Sequence, residues 1–164
     1  MITPATKQDL PAIEKIYTAA RAYMRRSGNL LQWADGYPHR PLLESDIEKG
    51  QLFVVREEGA IHGVFAFILG DDPTYACIED GQWPNDRPYG TIHRIASDGR
   101  VKGVFTRAFD FARSRADEIR VDTHRDNKTM QHVVQKHGFV RCGLIYLENG
   151  DPRIAYQYSK EARV

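Results

Sequence analysis

Six apolar residues in a row, Val64-Phe65-Ala66-Phe67-Ile68-Leu69, lie between Gly63 and Gly70. In a strand, successive side chains point to opposite faces, so a run without alternation is apolar on both sides. Such a strand belongs inside a sheet that is covered above and below. The residues before it agree. Gln51 to Arg56 is a second β-rich run, and Glu57-Glu58-Gly59-Ala60 joins it to Ile61–Leu69 as a hairpin.

The covers are amphipathic helices. Over Lys7–Arg26, Leu10, Ile13, Tyr17, Ala20 and Met24 recur at three- and four-residue steps, with Thr6 and Asp9 as a capping pair and Gly28-Asn29 as the stop. Leu43–Lys49 is a short helix closed by Gly50, after a polar, aromatic segment from Gln32 to Pro41. A turn-rich acidic loop spans Gly70 to Gly90. Beyond it the pattern alternates: strand Thr91–Ser97, helix Val101–Ala116, strand Ile119–Thr123, helix Asn127–His137, and strands Phe139–Tyr146 and Arg153–Tyr158. This order predicts an α/β (α+β) fold with a mixed sheet and helices on both faces. The unit from Thr91 to Thr123 is expected to be a right-handed parallel crossover.

At 164 residues with no Pro/Gly/Ser-rich linker, the expectation is one domain over residues 1–164. The 23 basic and 22 acidic residues leave no long-range field to gather nucleic acid. Cys77 and Cys142 form neither a disulfide framework nor a zinc spacing, and His39, His62, His132 and His137 share no ligand spacing, so no metal is expected. The start lacks a charged region followed by an apolar run, and no stretch is long enough to span a bilayer. A cytoplasmic protein without a membrane partner is the expectation.

Chemistry concentrates in Ile95-Ala96-Ser97-Asp98-Gly99-Arg100-Val101-Lys102-Gly103-Val104, a strand, a basic glycine turn and a helix start. Backbone N–H groups at a helix N-terminus, with the helix dipole behind them, suit a pyrophosphate. Taken alone, the turn fits an ordinary strand-to-helix connection with solvated basic residues better, since short glycine motifs are common by chance. It lacks the Gly-Lys-Ser/Thr ending of a phosphate-binding loop and the three-glycine dinucleotide pattern.

Its continuation is informative. Arg100-Val101-Lys102-Gly103, then a strand, then Asn127 opening a helix and Gly138-Phe139 closing it, resembles the GCN5-related N-acetyltransferase (GNAT) family. The opening, from Ile2 through Ala5-Thr6 to Asp9-Leu10 and Ile13, is similar to that family's first strand and helix. The resemblance runs from about Ile2 to Tyr158. It implies a mostly antiparallel sheet of six to seven strands whose central parallel pair, Thr91–Ser97 and Ile119–Thr123, splays apart around acetyl-CoA. Ile95, Ala96 and Ser97 would pair with the pantetheine arm, the N–H groups of Arg100, Val101, Lys102, Gly103 and Val104 would cradle the pyrophosphate, and Asn127 would bond the arm or brace the splay. Asn127 also reads as a helix N-cap.

Two positions depart from the family pattern. Phe105 stands where a small residue is usual, and Val134 where many relatives carry a tyrosine that protonates the departing thiolate. A thiol with a pKa of about 8.5 can leave without that help. The implied reaction is transfer of an acetyl group to a small-molecule or peptide amine, and a homodimer is compatible with the sequence. The amine must lose a proton to attack. His93 and His124 are candidate bases beside the splay, each equally readable as a partly buried histidine bonded to backbone. Tyr146 is a candidate proton donor or a packing residue. Trp33, Tyr37, Trp83 and Tyr89 with the acidic loop would suit a cationic acceptor. The competing reading is a catalytically degenerate acyl-CoA-binding or regulatory module with the same fold.

Overall fold

The computed structural model describes residues 1–162. Seven strands, β1 (Ile2–Pro4), β2 (Leu52–Glu57), β3 (Ala60–Leu69), β4 (Gly90–Ser97), β5 (Glu118–Thr123), β6 (Val140–Tyr146) and β7 (Pro152–Ser159), form one sheet in the order β1-β2-β3-β4-β5-β7-β6. Every neighbouring pair is antiparallel except β4–β5. The helices are α1 (Leu10–Arg26), α2 (Arg40–Glu48), α3 (Val104–Arg113) and α4 (Lys128–Lys136).

The uninterrupted apolar run occupies β3, second neighbour to the parallel strand β5. Val64 and Ala66 pack with Ile13, Tyr17 and Leu43 of α1 and α2. Phe65 and Phe67 pack on the other face with Val104, Ala108 and Phe109 of α3. From Val64 to Phe67 both faces of β3 are thus buried, as the absence of alternation requires, while Leu69 at the end of the run is 63% exposed. Gly63 sets how closely α3 approaches: a Cβ there would lie 2.7 Å from a Val104 methyl and 3.3 Å from Val55 Cβ. A third cluster, Tyr75, Tyr89, Ile145 and Ala155, lies beneath the acidic loop.

Two helix starts differ from the sequence reading, each for a backbone reason. Lys7–Asp9 is a 3-10 turn that hands over to α1 at Leu10. Pro11 has no N–H for the carbonyl of Lys7, which accepts from Leu10 instead. The helix expected from Val101 begins at Val104, because Gly103 takes a left-handed conformation (φ +75°) as its N-cap. It ends at Arg113, short of the expected Ala116.

The parallel pair is joined for only two residues, Gly90 opposite Ile119 and Thr91 opposite Arg120, and then parts. The register against β3 explains why. Ala66 pairs with His93 and Val64 with Ala96, so Phe65 alone faces both Arg94 and Ile95. That extra residue is a bulge, which bends its strand and re-aims side chains. Arg94 sits there at φ +52°, a conformation that costs a non-glycine residue roughly 1–3 kcal/mol. Its surroundings fix it. The Tyr17 hydroxyl donates to the Arg94 carbonyl (2.7 Å), and the Arg94 guanidinium donates to both oxygens of buried Asp46 (2.9 and 2.9 Å).

Candidate functional site

Where β4 leaves β5, a groove of about 470 Å³ opens between α1 and α4. Tyr23 and Met24 of α1, Ile95 to Gly99 of β4 and its turn, and Asn127 and Met130 of α4 line it. Of the residues expected to hold a cofactor, Ile95, Ala96, Ser97, Val104 and Asn127 therefore face one space. Arg100, Val101, Lys102 and Gly103 form the turn between two of its lining residues, Gly99 and Val104.

The turn is rigid and polar. Ser97 Oγ accepts from the Gly99 N–H (3.0 Å), and Asp98 Oδ1 accepts from the Arg100 N–H (2.9 Å). The Arg100 N–H is therefore spent inside the turn, contrary to its expected place in an anion cradle, and Arg100 keeps only its exposed side chain to offer. Asp98 Oδ2 lies 2.8 Å from His62 Nδ1. The first backbone bond of α3 runs from the Arg107 N–H to the Gly103 carbonyl (3.0 Å), so the N–H groups of Val104, Phe105 and Thr106 have no acceptor within the helix. Phe105 also lines the groove, packed at its edge against His137 (ring centroids 5.0 Å). Val134 is fully buried in the core, and its neighbour Val133 reaches the groove instead.

Asn127 has two roles. Its Oδ1 accepts from the Met130 N–H (3.0 Å), capping α4, and its Nδ2 donates to Gln32 Oε1 (3.0 Å). Gln32 also accepts from Asn29 (2.9 Å), and Arg25 fixes this loop by donating to the carbonyls of Asn29, Gln32 and Trp33. The sequence showed Gln32 only as part of a polar segment; nothing in it signalled a partner 95 residues away.

On the other side of the opening lie the acidic loop and the aromatic residues of the α1–α2 connection. His93 Nε2 is 2.7 Å from Asp72 Oδ2. Burial pushes the Asp72 carboxyl up, but bonds from His93 and from the Thr74 hydroxyl and N–H outweigh it and bring the pKa to about 2. An ionised carboxylate can only accept, so His93 Nε2 carries a hydrogen, and in the neutral ring the lone pair is on Nδ1. The Tyr75 ring lies 6.0 Å from the His93 ring, and its hydroxyl donates to Asp122 Oδ2 (2.6 Å). Trp33 packs between Tyr17 and Tyr37 (5.6 and 6.3 Å). Arg120 stacks on Trp83 and Tyr89 (3.9 Å each), tying those two expected acceptor walls to the sheet.

Because the folded pKa of Asp72 lies below its ordinary 3.8, its stabilisation is complete above about pH 4 and fades as pH falls towards 2. Asp72→Asn should cost about 1–2 kcal/mol at neutral pH, the lower figure allowing for solvent screening. Urea melts of the two proteins should converge between pH 4 and 2.

His124 and Tyr146 are placed differently from their expected roles. His124 is buried, and its Nδ1 accepts from the Asp126 N–H (3.0 Å), so the lone pair a base would use is occupied. Burial, and next the nearby Arg153 charge, depress its pKa below 6.5. His124→Gln should cost about 0.5–1.5 kcal/mol of stability in urea melts, since this bond orders a turn. Tyr146 is 41% exposed on edge strand β6, and its hydroxyl donates to Glu79 (3.1 Å), away from the groove. Buried Cys142 has its thiol pushed up to about 11 by burial and is no nucleophile at neutral pH. Among the described residues no helix is long and apolar enough to cross a membrane, and no cluster of His, Cys, Asp or Glu could hold a metal ion.

A seven-stranded mixed sheet, parted at its one parallel pair beside a basic glycine turn, is an architecture that carries acyl transfer, that of the acetyltransferases. The solved structures make the assignment specific. A GNAT-family acetyltransferase from Streptococcus agalactiae 2603 is 34% identical over 98% of this chain and 95% of that one, with a TM-score of 0.87. A candidate acetyltransferase from Staphylococcus aureus Mu50 is 26% identical, over 98% and 99% of the two chains, with a TM-score of 0.71. A GNAT-family acetyltransferase from Bacillus cereus ATCC 10987, 22% identical over 98% and 96%, shares the fold with a TM-score of 0.65. No family model and no curated relative matches the sequence. The chain belongs to the GNAT family of acetyltransferases.

Proposed function

We propose that the protein moves an acetyl group from acetyl-CoA to an amine by direct attack on the thioester. The observation that carries this reading is the coincidence of three features at the β4–β5 opening: an apolar groove, a turn with unpaired helix N–H groups, and the His93–Asp72 pair. The fit to acetyl-CoA follows from the first two. The β4 edge from Ile95 to Ser97 has no strand partner on the β5 side, and an extended amide-bearing arm can take that place. The N–H groups at the start of α3, with the Arg100 and Lys102 side chains, suit a pyrophosphate.

Bound there, acetyl-CoA supplies an activated acyl carbon and a thiolate leaving group. The protein supplies position and a proton acceptor. His93 Nδ1 takes a proton from the acceptor ammonium, and Asp72, on the opposite ring nitrogen, stabilises the imidazolium that results. The backbone at the Arg94–Ile95 bulge, out of register with β3, would supply a polar contact to the acyl oxygen. The test is release of free thiol from acetyl-CoA across a panel of primary amines. Release that depends on the amine supports transfer. Acetyl-CoA binding without amine-dependent release would instead mark an acyl-CoA-binding module with the same fold.

A further inference from the structure

Among the described residues four Asp, Glu or Arg side chains are essentially buried, and three are each held by several partners. Asp46 holds Arg94 through both oxygens. Glu118 accepts from Gln157 (2.7 Å) and faces Arg87 (3.4 Å). Arg120 donates to Gln157 and the Asn85 carbonyl and stacks between two rings. Arg153 is the fourth, only 6% exposed. Its one side-chain bond among the described residues runs from Nη1 to the carbonyl of the preceding Pro152 (3.0 Å), and it forms no ion pair with any of them. Neither Nε nor Nη2 has a partner, yet neither is sealed: the orphaned buried polar atoms among the described residues are Asn29 Oδ1 and Thr91 Oγ1 alone. The guanidinium is thus recessed with one donor edge open to solvent. Burial lowers its pKa, while Asp122, Asp151 and Tyr37 oppose that from a distance.

Its position connects it to the acceptor side of the cleft. Arg153 lies on β7 beside the carboxyl end of β5, two residues before Ala155 and on the same face of the sheet as that residue, which pairs with Asp122. Asp122 is engaged by the Tyr75 hydroxyl, and Tyr75 packs against His93. Asp151 is engaged by Asn149 (3.2 Å). The nearby carboxylates therefore have other partners, and neither reaches Arg153. A recessed guanidinium with a free edge is matched by a planar carboxylate, which can take two parallel N–H bonds.

We propose that Arg153 anchors a carboxylate on the acceptor, so that the substrate class is a small amino carboxylate, such as a free α-amino acid, whose amine lies towards His93. This inference rests on the transferase reading above and narrows it. The experiment compares matched acceptors with the wild-type enzyme: α-amino acids, the corresponding amino acid amides, and the decarboxylated amines, each with acetyl-CoA and thiol release as readout. Charge-assisted bonds of this kind predict kcat/KM about 10- to 150-fold higher for the carboxylates. In Arg153→Gln that preference should collapse through KM of the carboxylates, with the amides unchanged; thermal melting shows that the variant is folded. Amides or decarboxylated amines used as well as the acids by the wild type would overturn the anchor while leaving amine acetylation intact. No amine-dependent release from any of the three sets would overturn the transferase reading, and the anchor with it.

Discussion

His93→Gln is expected to lower kcat/KM for acetyl transfer by about 10²- to 10⁴-fold, the range for loss of a positioned general base. The acceptor amine is an ammonium ion at neutral pH, and only its neutral form can attack a thioester. His93 is suited to take that proton because Asp72 fixes its ring through Nε2, so that in the neutral ring Nδ1 is the accepting nitrogen. Glutamine keeps a polar side chain of similar size and removes the titrating nitrogen. Two features separate this from a folding defect. The KM for acetyl-CoA should hold, since His93 does not line the cofactor groove. Activity should also recover as pH rises, because deprotonated amine accumulates without help. A variant within threefold of wild type at neutral pH would mean that the base lies elsewhere or that water serves.

Gly103→Asp should weaken acetyl-CoA binding by about 100-fold while the protein stays folded. A Cβ at this position meets nothing nearer than Thr106 Cβ at 4.0 Å, so space is available. The φ of +75° is one that aspartate tolerates better than most residues. Its carboxylate would stand beside the N–H groups that begin α3 and have no acceptor within the helix. That is the source of the expected loss: the protein's own anion fills the place of the pyrophosphate. A fixed negative charge about 5 Å from a phosphate, at an effective dielectric near 20, costs about 3 kcal/mol, which corresponds to the 100-fold. Gly103→Asn shares the backbone demand and the shape but lacks the charge, and should lose far less. Acetyl-CoA protection against thermal unfolding reads both variants, and equal losses in the two would point to backbone strain in place of charge.

The fold was legible where the sequence is periodic or continuously apolar. The run through β3, the helical spacing in α1 and the order of the last third define a mixed sheet with two covered faces. The groove-lining stretch Ile95–Ser97 and Asn127 were legible through the order of motifs rather than through any one of them. What escaped depends on contacts between distant positions. The bulge at Arg94 needs a mismatch of register between β3 and β4, and the Asp46 and Tyr17 partners that fix it lie 48 and 77 residues away. Asp72 was one acidic residue among several in a loop; only folding brings it 2.7 Å from His93. For His124 the sequence left two readings, because position past a strand end says nothing of the ring nitrogens; in the fold a backbone N–H two residues on bonds one of them. The side chain direction of Tyr146 was open in the sequence, and alternation along an edge strand turns it to solvent.

The central claim is that the β4–β5 opening is an acyl-CoA site, and calorimetric titration of the wild-type protein with acetyl-CoA tests it most directly. The account predicts saturable binding at one site per chain, weakened by added inorganic pyrophosphate, which competes for the N–H groups at the start of α3. An absence of binding to acetyl-CoA or to longer acyl-CoAs would contradict it, leaving the family's fold without the family's cofactor.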